Sequence, residues 1–198
     1  MYANLFTHSD FLFSLIVLSH PIDLIQVQSL ALEIPHRILY VDAPYLESYR
    51  EQISQLNKEY GIELLFTGDI LNVCDNFMGR ATQGTNVELI QPLWQIARDQ
   101  LFNELREEQF EIVVSCVNIE KIGESLANDS IGKSYFELYE QIEQRKQIDS
   151  AGEIGEFHTM VINTPFFKKS IQFNGNSQID ETGRYLFFHF TQIQLRNK

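Results

Sequence analysis

The chain predicts an open α/β fold built on a parallel sheet, followed by a small α+β unit. Two observations carry that expectation. Up to about residue 118, apolar runs of strand length alternate with longer stretches whose apolar side chains recur at helical spacing. Such strand–helix–strand alternation pairs its strands in parallel through right-handed crossovers. After Asn118 the pattern breaks into a glycine-punctuated loop, a short helix, a charged segment and two strands. The chain therefore divides into a first domain over 1–118 and a smaller one over 119–198.

The elements follow in order. Residues 11–18 are β-branched and aromatic enough for the interior of a parallel sheet. The run is too short to span a bilayer, and no Lys or Arg precedes Arg37, so it lacks the positive flank of a signal peptide. Ile22, Ile25, Leu30 and Leu32 set the apolar face of a helix that Ile34-Pro35 stops. Residues 37–41 form a second strand. Pro44-Tyr45 opens a polar helix with Leu46, Tyr49, Ile53 and Leu56 on one side, Gly61 ends it, and 62–67 make a third strand.

That strand runs into Gly68-Asp69, where an open α/β sheet binds ligands beyond its carboxyl strand ends. Asp69 is thus either a site residue, with Gly68 beside it, or the cap of the next helix. Downstream, a helix carries Ile96, Leu101, Phe102 and Leu105. Residues 110–117 make a buried strand in which Cys116 acts as a small hydrophobe. In the second domain a helix holds Phe136, Leu138 and Tyr139, and strands over 170–173 and 185–195 flank a polar turn over 174–183.

Composition excludes several classes. With 27 acidic against 15 basic residues the net charge is -12, which disfavours phosphate-driven nucleic-acid binding and adhesion to anionic membranes. Cys74 and Cys116 have neither metal-ligand spacing nor a disulfide framework, so no metal is expected and the reducing cytoplasm is the natural compartment.

The densest chemistry is Gly152-Glu153-Ile154-Gly155-Glu156-Phe157-His158-Thr159, followed by Met160-Val161-Ile162 and Pro165-Phe166-Phe167-Lys168-Lys169. Two glycines permit unusual backbone angles, while two carboxylates, an imidazole and a hydroxyl crowd into eight residues. Glu153, Glu156 and His158 are the candidate catalytic groups. Gly152, Gly155 and Thr159, with Gly68 and Asp69, are candidate substrate-binding positions. The plainer reading makes the glutamates solvated neighbours and His158 a satisfied bridge between loop and strand.

Taken together, the chain resembles the diphthine–ammonia ligase (diphthamide synthase) family of ATP-pyrophosphatase type. The resemblance rests on His20, on Gln28-Ser29-Leu30-Ala31-Leu32-Glu33-Ile34-Pro35, on Phe66-Thr67-Gly68-Asp69-Ile70, on Pro92-Leu93-Trp94 and, most specifically, on residues 152–159 with Pro165-Phe166-Phe167 after them. It covers roughly residues 20–173. It implies a sheet of the adenine-nucleotide alpha hydrolase (HUP-like) type in the first domain and an acceptor-binding second domain. It also implies a reaction in which ATP activates the carboxylate of diphthine on translation elongation factor 2 and ammonia displaces AMP. The family's Ser-Gly-Gly-Lys-Asp-Ser phosphate loop is absent, and residues 1–18 hold no glycine or lysine to replace it. The expectations are therefore a sheet lacking its first strand and phosphate loop and weak or absent ATP binding. The chain is then an N-terminally shortened ligase, one half of a split enzyme, or a degenerate binding module without catalysis. The focal loop is expected to face the Asp69 strand end across a cleft.

Overall fold

A computed structural model describes residues 2–7, 19–72, 75–143, 145 and 147–198. The strand expected over 11–18, and Cys74, lie outside those residues. The fold is mixed α/β, with a small parallel sheet and a larger antiparallel one. The described residues divide into two compact units: 19–36 with 98–198 form one, and 3–7 with 37–97 the other.

In the 37–97 unit, β1 (Tyr2–Thr7) pairs with β2 (His36–Val41). Helix α2 (Tyr45–Tyr60) ends at Gly61, whose φ of 64° is the left-handed cap that glycine adopts without a Cβ penalty. Strands β3 (Leu64–Phe66) and β4 (Glu88–Ile90) pair in parallel, with α3 (Phe77–Thr82) in the crossover between them. Strand β4 carries no sequence pattern of its own, because three residues are too few to show a period. The core is small: Ile53, Ala81 and Val87 are buried, with the expected Leu46 and Tyr49 packed against them. The side chains of Leu64 and Phe66, by contrast, stand 48% and 62% exposed.

The other unit is organised by an antiparallel sheet in the order β6 (Phe157–Asn163), β5 (Glu111–Asn118), β8 (Tyr185–Asn197), β7 (Lys169–Ile179). Here the parallel expectation needs correction. Strand β5, which the alternation assigns to the parallel core, pairs antiparallel on both sides, with β6 and β8. Its eight residues are apolar enough for burial on both faces, and burial alone does not distinguish parallel from antiparallel pairing. A bulge between Val114 and Cys116 shifts the alternation, so Ile112, Val114 and Val117 all enter one core. That core is closed by Phe102 of α4 (Arg98–Glu107), Ile122 of α5 (Ile119–Ile122), Leu126 of α6 (Glu124–Ser130) and Leu138 and Ile142 of α7 (Tyr135–Ile142). The stretch after Asn118, expected as a loop, instead winds into the short helices α5 and α6. Asn118 starts the first by accepting the Glu120 N–H at 3.1 Å.

Helix α1 (Ile22–Leu32) packs on β7 and β8 through a face of Leu24, Ile25 and Ala31, whereas Leu30, expected inside, is 63% exposed. The helix ends as expected before Pro35, in a Schellman turn in which Glu33 takes φ 56° and the Ile34 N–H reaches the Ser29 carbonyl at 3.1 Å. Strand β7 runs far longer than anticipated, while β8 keeps its expected span to within two residues. The polar 174–179 segment pairs with β8, and the turn shrinks to 180–184, where Asp180 accepts the N–H groups of Arg184 and Tyr185 at 2.8 Å each. A polar sequence conceals a strand when one of its faces is solvated.

Candidate functional site

The residues preceding β6 fold into a closed loop because its one buried carboxylate holds its own main chain. Glu156 is only 3% exposed. Its Oε1 accepts the N–H of Asp149 at 3.2 Å and its Oε2 the N–H of Ile154 at 3.1 Å. Its own carbonyl accepts the Asn118 N–H at 2.8 Å, which ties the loop to the end of β5. Charge-assisted bonds to main-chain donors are stronger than neutral ones and fix geometry. Gly152 takes φ 75°, and a Cβ there would lie 2.8 Å from the Phe157 carbonyl oxygen, so the turn admits no side chain. Gly155, at φ 79°, makes the second left-handed step.

A second carboxylate anchors the loop's start. Asp149 forms a two-pronged pair with Arg98 at the beginning of α4, Nε to Oδ1 at 3.1 Å and Nη2 to Oδ2 at 3.0 Å, and Oδ1 also accepts the Ala151 N–H at 2.8 Å. Burial pulls the Asp149 carboxyl up, but the Arg98 bonds, the Ala151 N–H and the Arg98 charge outweigh it and hold the group below its ordinary range. The Tyr135 hydroxyl donates to the Ser150 carbonyl at 2.7 Å, and burial pushes its ionisation far up. The Lys121 ammonium donates to the Ile154 carbonyl. Glu153 is half-buried, and its charge supports Arg98.

At the start of β6, His158 sits opposite Cys116 in the β6–β5 register and meets His20 edge to face, ring centroids 4.9 Å apart at 79°. The Nδ1 of His20 lies 3.1 Å from the Ser19 hydroxyl. Burial, then the neighbouring His158, lowers His20 to about 4, and burial lowers His158 as well. Both imidazoles are therefore neutral at pH 7. Burial, with Asp180 adding to it, pushes the Cys116 thiol up to about 12, so it is no nucleophile. Among the described residues no three His, Cys, Asp or Glu side chains are placed to hold a metal ion. Thr159 is half-buried opposite Val114.

Thus the structure brings Gly152, Glu153, Gly155, Glu156, His158 and Thr159 together, with His20 beside them. Gly68 and Asp69 lie in the 37–97 unit. There Asp69 Oδ2 accepts the Thr67 hydroxyl at 2.6 Å and the Gln91 amide at 3.0 Å, and it caps no helix, since α3 starts eight residues later. Sequence reasoning missed Arg98, Asp149, Tyr135 and Lys121. Only Asp149 left a signal, as the Asx residue opening the Asp-Ser-Ala-Gly turn.

A family model described as the diphthamide synthase C-terminal domain matches residues 97–195, half of the chain. The chain belongs to the diphthamide synthase family. That match runs from the start of α4 to within two residues of the end of β8, contains the whole closed loop and nearly all of its four-stranded sheet, and ties the chain to diphthamide biosynthesis. The stretches at His20, 28–35, 66–70 and 92–94, on which the sequence resemblance also rests, fall outside the matched span. No curated protein matches the chain. No helix among the described residues is long and apolar enough to cross a membrane.

The resemblance implies ATP, and the described residues at the end of β3 do not suit a triphosphate. Gly68 and Thr67 are followed by the Asp69 carboxylate, whose Oδ2 already accepts two hydrogen bonds, and an anion at that point repels a triphosphate.

Proposed function

We propose that this chain holds the acceptor in the amidation step of diphthamide biosynthesis, the acceptor being the carboxylate of diphthine on elongation factor 2. The observation that supports this most directly is the loop inside the matched span: Glu156 is spent on shaping its main chain, a degree of pre-organisation that suits a binding site. In this reading Gly152, Gly155 and Glu156 set the loop's form. Glu153 and Lys121 meet the acceptor or the incoming amine, and His158, backed by His20, bounds the site as a neutral hydrogen-bonding group. Thr159 extends that boundary.

In the same reading, β3 and β4 belong to an open parallel sheet of HUP type, and ATP binding by this chain is weak or absent. The exposed faces of Leu64 and Phe66 favour a second protein that completes this sheet, the split-enzyme alternative, over a free-standing degenerate module. The test is binding of the full chain to elongation factor 2 carrying diphthine, compared with the unmodified factor. We expect a preference of about tenfold or more, lost in Glu153→Ala. Equal binding of the two forms of the factor overturns the proposal. Calorimetry with ATP is expected to stay flat, and micromolar heat would overturn that part.

A further inference from the structure

Strand β7 ends the four-stranded sheet, and its outer edge is open. Along Lys169–Ile179 it pairs with β8, and among the described residues no main-chain group of 169–179 bonds anything beyond β8. Proteins keep such an edge from pairing with another chain by placing charges, Pro or a bulge in it, or by covering it. Residues 170–179 contain no Lys, Arg, Asp, Glu or Pro. The register slips once, but the extra residue belongs to β8: from Gln172↔Gln194 to Asn174↔Thr191, β7 advances two residues and β8 three, with Gln192 at φ 47°. The edge strand itself runs unbroken. Every residue of 174–179 is exposed, Ile179 to 54%, so this half of the strand is held by β8 and buries neither face. A ribbon of two strands is marginal by itself, and a further strand on its open edge stabilises it.

The two ends of this neutral edge carry opposite charge. At its start stand Lys168 and Lys169, exposed and in no ion pair, with Arg196 and Lys198 near them at the end of β8 and Glu33 of the α1 cap as a nearby carboxylate. At its other end stand Asp180 and Glu181. Asp180 accepts the N–H groups of Arg184 and Tyr185, whereas Glu181 is exposed and makes no hydrogen bond or ion pair. Arg184 of the same turn is already paired with Glu120 at 3.0 Å. An antiparallel neighbour lays its start against this strand's end, so a second β7 meets both ends with the opposite charge at once. A two-fold axis at Asn174 sets Lys168 opposite Asp180, and one at Gly175 sets Lys169 opposite Glu181. A parallel neighbour of the same sequence would instead set lysine on lysine and acid on acid.

We infer that β7 pairs antiparallel with β7 of a second copy of this chain, about a two-fold axis at Asn174 or Gly175, joining two four-stranded sheets into one. Eleven residues a side offer about ten main-chain hydrogen bonds, the number a specific interface typically carries. Little apolar area accompanies them, since the facing side chains are mostly Ser, Asn and Gln, and the association is correspondingly weak. None of the loop residues 149–158 lies on this edge, so the inference is independent of the acceptor reading.

The test is analytical ultracentrifugation of the full chain from about 1 to about 500 µM. A monomer–dimer equilibrium is expected with Kd of the order of tens of micromolar, weakening as salt rises. Amide hydrogen exchange within 170–179 should slow at the highest concentration. Glu181→Lys should weaken the dimer about tenfold, although it moves the net charge of -12 toward zero and would strengthen a contact governed by overall repulsion. Lys169→Glu should weaken it as well, and the swap of Lys169→Glu with Glu181→Lys in one chain should recover most of the loss. Asn174→Lys, which brings like charges together near the axis, should weaken the dimer in either register while the unfolding midpoint of the monomer holds. A chain that stays monomeric to 500 µM, a dimer that Glu181→Lys leaves unchanged or strengthens, or a swap that recovers nothing overturns the inference.

Discussion

Glu156 and Asp69 both stand in a short turn beside a strand, in segments the sequence singles out for their glycines and acids, yet their carboxylates are held by different kinds of donor. Glu156 is buried and receives two main-chain N–H groups, from Asp149 and Ile154. Asp69 is half-exposed and receives two side-chain donors, Thr67 and Gln91. A carboxylate that satisfies main-chain donors dictates the path of the chain, because those N–H groups have no other buried partner. A carboxylate held by a hydroxyl and an amide leaves groups that can turn to each other or to water. The first makes a loop rigid, while the second leaves its turn to the strand that precedes it.

The contrast breaks if Glu156 proves dispensable. Glu156→Ala leaves two N–H groups without acceptors and opens a cavity beneath the loop, and we expect a loss of about 3–4 kcal/mol in urea unfolding. Glu156→Gln, which keeps one accepting oxygen, should lose about half as much. A change under about 0.5 kcal/mol, normal for a solvated surface glutamate, would sink the account of the loop. For the same reason a loss of acceptor binding in Glu156→Ala does not separate chemistry from architecture, and Glu153→Ala does so only where its urea midpoint is unchanged, because the Glu153 charge also supports Arg98.

The paired imidazoles sharpen the comparison through pH. His20 is lowered to about 4 from an ordinary value of 6.5, and His158 is lowered as well. The unfolded chain therefore binds more protons than the folded one between those values. Stability is fully present above about pH 6.5 and falls as the pH drops toward 4, by about 2 kcal/mol for His20 once its partial exposure is allowed for. Urea midpoints measured from pH 7 to 4.5 should show that slope, and His20→Gln should flatten it. An unchanged slope in the variant would mean that the edge-to-face pair is not what couples stability to protons.

How much of this was legible differs between the two turns for physical reasons. Local grammar was readable: Gly61 and Ile34-Pro35 end their helices as expected, and residues 152–159 form one constellation on the loop and the start of β6. Orientation was not. Nothing in the apolar run of β5 says that its neighbours are antiparallel, and the polar 174–179 segment gave no hint that it pairs with β8. The roles within the site were also hidden, since Glu153 and Glu156 look alike in sequence and only burial separates a loop's internal anchor from its rim. Arg98 stands 51 residues from Asp149 along the chain, and no spacing rule reaches that far.

The smallest expected effect belongs to Asp69. In Asp69→Asn the side-chain oxygen still accepts from Gln91, and the Thr67 hydroxyl can rotate to accept from the new amide, because a hydroxyl serves as donor or acceptor. The net change is one charge at a half-exposed position and one exchanged hydrogen bond, for which we expect about 0.5–1 kcal/mol in urea unfolding. A loss as large as that of Glu156→Ala would show that Asp69 also governs main-chain geometry, and the distinction between the two turns would fail. Calorimetry on the same variant carries the second half of the argument. If Asp69 alone kept a triphosphate away from the β3 end, removing its charge should let ATP bind. If glycine amides and a lysine are needed as well, the titration stays flat in the variant as in the parent chain.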